Sequence, residues 1–390
     1  MRLPDLFLED DADLTLTHLH GLVTDELVSL DDVCATLECL RTSSQVGPNL
    51  RVAVDGGYRQ DVRQQVIDSD PEYDGEPLTS WAQRLFGSRP FYVVVNELEV
   101  FNPALVRRVA RLLRPLIESQ AAWFGGLSMA LLIGREGFTS FGVHRDSDCR
   151  WNLQFHLGPA PKTMTVWQDD ALAEATDADL LAVAPLLSRG LSFELQRGDL
   201  FVLPCQERHA AHYTDLAVTL VASMRVVSAR GLAEAALRRS LDEQYRGASS
   251  TPIGLSRPEL GAAAAARREI SGQEFEQAVE AERLRRWSNL GMTVRNPDPL
   301  PNAAVLRGAS VALVDPFPVC HQQLPGARLR VFARGHVLAI THDDAVVELI
   351  EQLNTGATVV VGPDAPPTIL MLLAFLCGHG AAAYESRDDC

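Results

Sequence analysis

The 390-residue sequence contains no CxxC pair, no GxGxxG and no GxxxxGKS/T. Without those glycine patterns the usual phosphate-cradling turns of nucleotide sites are excluded. Its seven cysteines are odd in number and unpaired in spacing, which suggests neither a disulfide framework nor a structural zinc site. Positive charge is scarce: 35 Lys and Arg stand against 51 Asp and Glu, a formal charge of -16. Such a surface repels a phosphate backbone, so no nucleic-acid partner is expected. The longest apolar run, ILMLLAFLC near 369–377, is about half of what a helix needs to cross a bilayer, and no membrane partner is expected. The start, MRLPDLFLEDDADL, lacks a basic stretch followed by a long apolar run and does not read as a signal peptide. A reducing cytoplasm is the expected setting.

What is present is a folded-protein composition, 46% hydrophobic and 22% charged, long enough for two or three domains. The segment 26–40 reads as an amphipathic helix begun after Thr24, and 78–86 as another. FYVVVNEL (91–98) reads as a strand. A helix follows with Leu105, Val109, Leu112, Leu113 and Leu116 at helical spacing, which Pro115 is expected to bend or divide. From 127 the period shortens. SMALLIGR, the segment around FGVH, WNLQFHL, MTVWQD, LSFELQ, DLFVLP and LAVTLVASMRV form a series of short strands with little room for crossover helices. That pattern argues for an antiparallel sandwich or barrel.

After about 228, Ala, Glu, Arg and Leu dominate and predict helices, the polyalanine run 262–266 being a small-residue helix face. NPDPLPN (296–302) reads as a linker. The remainder to about 385 mixes strands with a helix over 344–353, set off by Asp343 and Gly356, and suggests a winged-helix-like unit. The helix DDAVVELIEQLN has no Lys or Arg, a poor face for a phosphate backbone.

The chemistry concentrates in two stretches. In FGVHRDSD, His144 and Asp146 stand two apart, so on a strand they share one face and can occupy adjacent corners of one coordination sphere. About 60 residues later, RGDLFVLPCQERHAAH sets a turn, a buried strand, a proline stop and then His209, with His212 in reserve. An antiparallel return would bring His209 opposite His144. Two histidines and one carboxylate form the facial triad of non-haem Fe(II) oxygenases, which keeps positions open for substrate-derived ligands and O₂. Asn152 shares a strand face with Gln154 and His156.

GFTSFGVHRDSDCRWNLQFHLGPAPKTMTVW followed by LQRGDLFVLPCQERHAAH resembles the jumonji-C-type, cupin-fold Fe(II)/2-oxoglutarate oxygenases, in particular the ribosomal-oxygenase branch. The resemblance extends over roughly 90–385 and is strongest in 134–212. It implies a mixed α+β fold: a double-stranded β-helix (cupin, jelly-roll) core in 1–227, a helical, dimer-forming region in 228–295, and a winged-helix-like domain in 303–385. It also implies a homodimer. By resemblance, His144, Asp146 and His209 bind Fe(II) and are catalytic. Lys162 pairs with the distal carboxylate of the cosubstrate 2-oxoglutarate, with Thr219 and Asn152 as further contacts. Lys162 lies about three residues too far from Gln154 for the family pattern, so Arg135 or Arg145 are alternatives. The implied activity is hydroxylation of an unactivated C–H in a protein or peptide residue, or the same chemistry on a free amino acid or small natural-product intermediate. The negative balance suggests an acidic groove suited to a basic peptide.

Overall fold

The computed structural model describes residues 15–43, 46–69, 77–119, 124–139, 141–147, 149–244, 272–294 and 298–385. It divides into two units, Met1–Val226 and Val227–Cys390.

In the first unit the strands are β1 (Thr17–Leu19), β2 (Leu50–Val54), β3 (Gly57–Tyr58), β4 (Phe91–Asn96), β5 (Phe124–Arg135), β6 (Gly137–Phe138), β7 (Cys149–Pro159), β8 (Lys162–Trp167), β9 (Leu191–Leu195), β10 (Leu200–Pro204), β11 (Arg208–Tyr213) and β12 (Ala217–Val226). They build an eight-stranded sheet, β1-β10-β7-β12-β5-β4-β2-β3, and a four-stranded sheet, β6-β11-β8-β9. The large sheet contributes Tyr92, Val94, Phe201 and Leu203 to a core that the small sheet fills with Met164, Val166, Ala211 and Tyr213. Two antiparallel sheets packed on their inner faces make a jelly-roll core, the arrangement that short alternating strands favour.

The helices of this unit are α1 (Leu30–Thr42), α2 (Gln60–Asp68), α3 (Leu78–Phe86), α4 (Leu98–Phe101), α5 (Pro103–Ser119) and α6 (Asp177–Ala182). α1 starts later than its sequence suggests. Ser29 and Asp32 form a reciprocal capping box there, whereas Thr24 only closes a turn through its carbonyl. α5 runs through Pro115 undivided. Its buried stripe, Leu105, Val106, Val109, Leu113, Leu116 and Ile117, continues on both sides of the proline and keeps the helix on one core face.

Cys149 and Cys205 form a disulfide, contrary to the expectation from cysteine count and spacing. The cause is strand pairing: β10 runs antiparallel beside β7, with Pro204 opposite Trp151. That register brings residues 56 apart in sequence to a Cα separation of 5.9 Å, within bridging range.

The second unit opens with α7 (Ala229–Gln244) and α8 (Gly272–Trp287), where buried Glu282 accepts from Arg239, Arg285 and Arg286. The predicted polyalanine helix face at 262–266 lies outside the described residues. Beyond come α9 (Ala303–Leu306), β13 (Ser310–Leu313), β14 (Cys320–Leu324), β15 (Arg328–Ala333), β16 (His336–Thr341), α10 (Asp344–Asn354), β17 (Val359–Val360), α11 (Pro367–Gly378) and β18 (Ala382–Glu385). They enclose a core of their own, including Val331, Ile350, Leu353, Leu372 and Leu376. Asp343 caps α10 by accepting from the Ala345 N–H. Among the described residues, no helix is long and apolar enough to cross a membrane.

Candidate metal centre

The segment carrying His144 and Asp146 is a loop rather than a strand. It meets β11 through a single antiparallel bridge between His144 and His209. Each residue's N–H donates to the other's carbonyl, at 3.0 and 2.9 Å, a hydrogen-bonded antiparallel pair that sets both side chains on one face, their ring centroids 4.3 Å apart. The loop is pinned by Val143, whose N–H donates to the Leu180 carbonyl on α6 at 2.7 Å. Gly142 makes that approach possible. Its φ is +64°, and an added Cβ would lie 2.5 Å from the Leu180 oxygen, a position no other residue can take without displacing the loop.

His144, Asp146 and His209 offer three ligand atoms within 4.8 Å of one another. His144 Nε2 is 3.8 Å from Asp146 Oδ1, and His209 Nε2 is 3.5 Å from Asp146 Oδ2. These separations exceed a hydrogen bond. The other ring nitrogens are engaged: His144 Nδ1–H donates to the Gly142 carbonyl at 3.0 Å and His209 Nδ1–H to the Glu207 carbonyl at 3.1 Å. That fixes the tautomer and turns both Nε2 lone pairs toward the carboxylate, as backbone carbonyls do for metal-bound histidines. Burial, aided by the neighbouring His144, pushes the His209 imidazole down to about 4, so it is neutral and able to ligate. Asn152 donates its amide to Asp146 Oδ2 and holds the carboxylate in place.

A cavity of about 310 Å³ opens beside the triad, lined by Arg51, Tyr92, Thr139, Gln154, Lys162 and Met164 among others. Lys162 is 1% exposed. It reaches from β8 across to the large sheet, donating to Gln154 Oε1 at 2.7 Å and Thr219 Oγ1 at 3.1 Å. His156 Nε2–H donates to the Ala160 carbonyl at 2.9 Å, leaving Nδ1 to accept from the Thr219 hydroxyl at 3.4 Å. Burial pushes the Lys162 ammonium down to about 7, and burial with Lys162 pushes His156 down to about 4. Among the described residues Lys162 thus has hydrogen-bond acceptors and no counter-charge of its own, an arrangement that favours an incoming anion.

The structure brings His144, Asp146, His209, Asn152 and Lys162 to the cavity wall, with Thr219 behind Lys162. It does not bring His212 there. Three residues from His209 on β11, His212 faces the opposite side and packs on Phe138. Arg135 donates to the Gly87 carbonyl and Arg145 pairs with Asp169, both away from the cavity lining. The surplus residues between Gln154 and Lys162 are absorbed by a bulge in β7, between the His156 and Gly158 pairings, and by the link to β8. Among the described residues that line this cavity, Asp146 is the carboxylate, beside Arg51 and Lys162. Arg51, Tyr92 and Thr139 had no signal in the sequence, because nothing local tells which sheet β2 and β4 join.

Fold and donor set together define a class: a jelly-roll barrel with two imidazoles and one carboxylate converging beside a buried cation. No family model matches the sequence, and no curated protein matches it. Solved structures do. The chain is similar over 99% of its length to YcfD of Escherichia coli, covering 98% of that chain at 17% identity with a TM-score of 0.56. It is similar to the same ribosomal oxygenase in complex with cobalt and 2-oxoglutarate (17% identity, 99% of each chain, TM-score 0.53) and with cobalt and succinic acid (16%, 99% of each, 0.55). At such identity the likeness establishes the fold.

Proposed function

We propose that the protein is an Fe(II)- and 2-oxoglutarate-dependent oxygenase that hydroxylates an unactivated C–H bond of an amino-acid residue in a protein or peptide. The observation that carries this reading is the triad with both Nε2 atoms turned inward, set in one cavity with buried Lys162. The solved structures of the same fold with cobalt and 2-oxoglutarate or succinic acid support it.

The residues fit the group. Two imidazoles and one carboxylate are the donor set that suits Fe(II), and their spacing exceeds mutual hydrogen bonding. His144, Asp146 and His209 hold the ion; with 2-oxoglutarate and O₂ it supplies the oxidation of the C–H bond, with succinate and CO₂ as co-products. Lys162 takes the distal carboxylate of 2-oxoglutarate. Gln154 and Thr219 aim its ammonium, and His156 stays neutral and orients the Thr219 hydroxyl. Asn152 fixes Asp146 and presents the rest of its amide to the cosubstrate side. Asp146 occupies the position that a halogenating enzyme leaves vacant, which favours hydroxylation.

The same chemistry on a free amino acid or small natural-product intermediate is the second reading, favoured by the modest cavity of about 310 Å³. We further read 228–295 as a dimerising helical region, 303–385 as a winged-helix-like domain, and the cytoplasm as the location. The test is anaerobic loading with Fe(II), then 2-oxoglutarate and O₂. Succinate formation, and a gain of one oxygen on an added peptide or amino acid, support the reading; failure of Fe(II) to bind overturns it.

A further inference from the structure

We propose that Arg51 determines substrate specificity by clamping a carboxylate of the substrate, so that the molecule oxidised is a carboxylate bearer: an acidic peptide side chain or a free α-carboxylate. This rests on the oxygenase reading above and names its substrate class.

The placement follows from strand register. Arg51 on β2 lies opposite Val94, Val94 opposite Leu132, and Leu132 opposite Thr219. Directly opposed residues share a sheet face, so Arg51 belongs to the row that ends at the Thr219–Lys162 contact. Three strand spacings separate the ends, up to roughly 14 Å along the sheet. A five-carbon diacid held by Lys162 and the metal centre does not span that row. Arg51 therefore faces the substrate half of the cavity.

The charge there is uncommitted. Arg51 is exposed at the rim, and among the described residues it has no carboxylate partner. Its guanidinium lies over the Phe141 ring, 5.2 Å from the centroid, and that ring packs on His144 at 5.4 Å. The guanidinium is thereby held two ring contacts from a metal ligand. Among the described residues, Asp146 is the carboxylate of the cavity lining, and it belongs to the triad. A second observation is independent. Thr139, 6% exposed, lines the same cavity, and among the described residues its hydroxyl has no hydrogen-bond partner. Buried hydroxyls are rarely left so, and one in the same cavity as an arginine fork suits a polar, anionic group of a ligand. Among the described residues of this half, a cationic side chain would meet Arg51 with no carboxylate outside the triad to offset it.

The experiment uses full-length protein loaded with Co(II) and 2-oxoglutarate under nitrogen, and reads probe binding by calorimetry. The probes are free L-amino acids with neutral side chains, the same amino acids as C-terminal amides, and capped tripeptides centred on Glu, Asp, Gln or Arg. We expect a carboxylate-bearing probe to bind and its amide to bind about 10- to 100-fold more weakly. Arg51→Gln should erase that preference, and Arg51→Lys should restore part of it. Binding of the free amino acids assigns the α-carboxylate; binding of the capped Glu or Asp peptide assigns a side chain. The proposal is overturned if the Arg-centred peptide binds best, if no carboxylate probe binds, or if Arg51→Gln weakens acid and amide equally. Failure of Co(II) or 2-oxoglutarate to bind, seen in the loading step, is instead the failure of the oxygenase reading.

Discussion

The barrel holds two clusters of the same composition. His144, Asp146 and His209 form one; His18, His20 and Asp199 form the other. In the second cluster both histidines donate to the same oxygen, Asp199 Oδ2, at 2.8 and 3.2 Å. That oxygen also accepts from the Gln196 N–H, and Oδ1 accepts from the Gly21 N–H. The carboxylate is saturated and the ring nitrogens that face it are spent. In the first cluster the carbonyls of Gly142 and Glu207 take the Nδ1 protons, and both Nε2 atoms stand 3.5–3.8 Å from the carboxylate. Three identical residue types therefore make a strut in one place and a set of open ligands in the other. Where the ring protons go decides between them.

The comparison breaks first at the ligands. His144→Ala, Asp146→Ala or His209→Ala should abolish stoichiometric metal binding and 2-oxoglutarate turnover, while His18→Ala and His20→Ala retain both; equilibrium dialysis with Co(II) measures this. Lys162→Met should weaken 2-oxoglutarate by roughly 10- to 100-fold with metal affinity kept, the worth of a hydrogen bond to a charged group. The pH dependence has a definite sign. Lys162 in the ligand-free protein titrates at about 7 and must be protonated to meet a carboxylate, so 2-oxoglutarate affinity should fall as pH rises above 7. Folding stability should run the other way: the Lys162 contribution is full above the ordinary lysine value of 10.5 and lost as pH falls through about 7. Affinity that is flat from pH 6 to 9 contradicts this.

Gly142→Ala sharpens the contrast without touching a ligand. It displaces the loop from Leu180 and should weaken metal binding about 10- to 100-fold, the usual cost of disturbing the groups that orient ligands. Asp199→Asn should leave metal binding intact and cost about 1–3 kcal/mol of stability, read from urea unfolding. Burial opposes ionisation of Asp199, but the donors from Gln196, His18, Gly21 and His20 hold its carboxyl below the ordinary range. Its stabilisation is thus full above the ordinary value of 3.8 and is lost as pH falls through the lower folded value. His20→Ala, at a side chain 74% exposed, should change stability least, by about 0.5 kcal/mol or less.

Sequence alone marked one of these clusters and missed the other. The HxD pair and the Gly-Asp turn leading to His209 are each local patterns, and the family resemblance joined them across about 60 residues; the short alternating strands announced antiparallel sheets. His18 and His20 also stand two apart, yet their partner Asp199 was read only as part of a turn. The link depends on β1 pairing β10, which no local pattern specifies. For the same reason Cys149 and Cys205 did not read as a pair, and Arg51 did not read as a cavity residue. His144 and Asp146 were expected on a strand; they sit on a loop, because the close approach at Gly142 ends regular pairing before β7 begins. His212, the alternative ligand by sequence, is turned outward by the alternation of β11.

The account is tested most directly by the visible charge-transfer absorption of the Fe(II)–2-oxoglutarate complex, titrated without oxygen. It predicts one band saturating at one Fe(II) per chain, unchanged in the double variant His18→Ala/His20→Ala and absent in His209→Ala. A band that survives in His209→Ala, or one that disappears in the double variant, would contradict it.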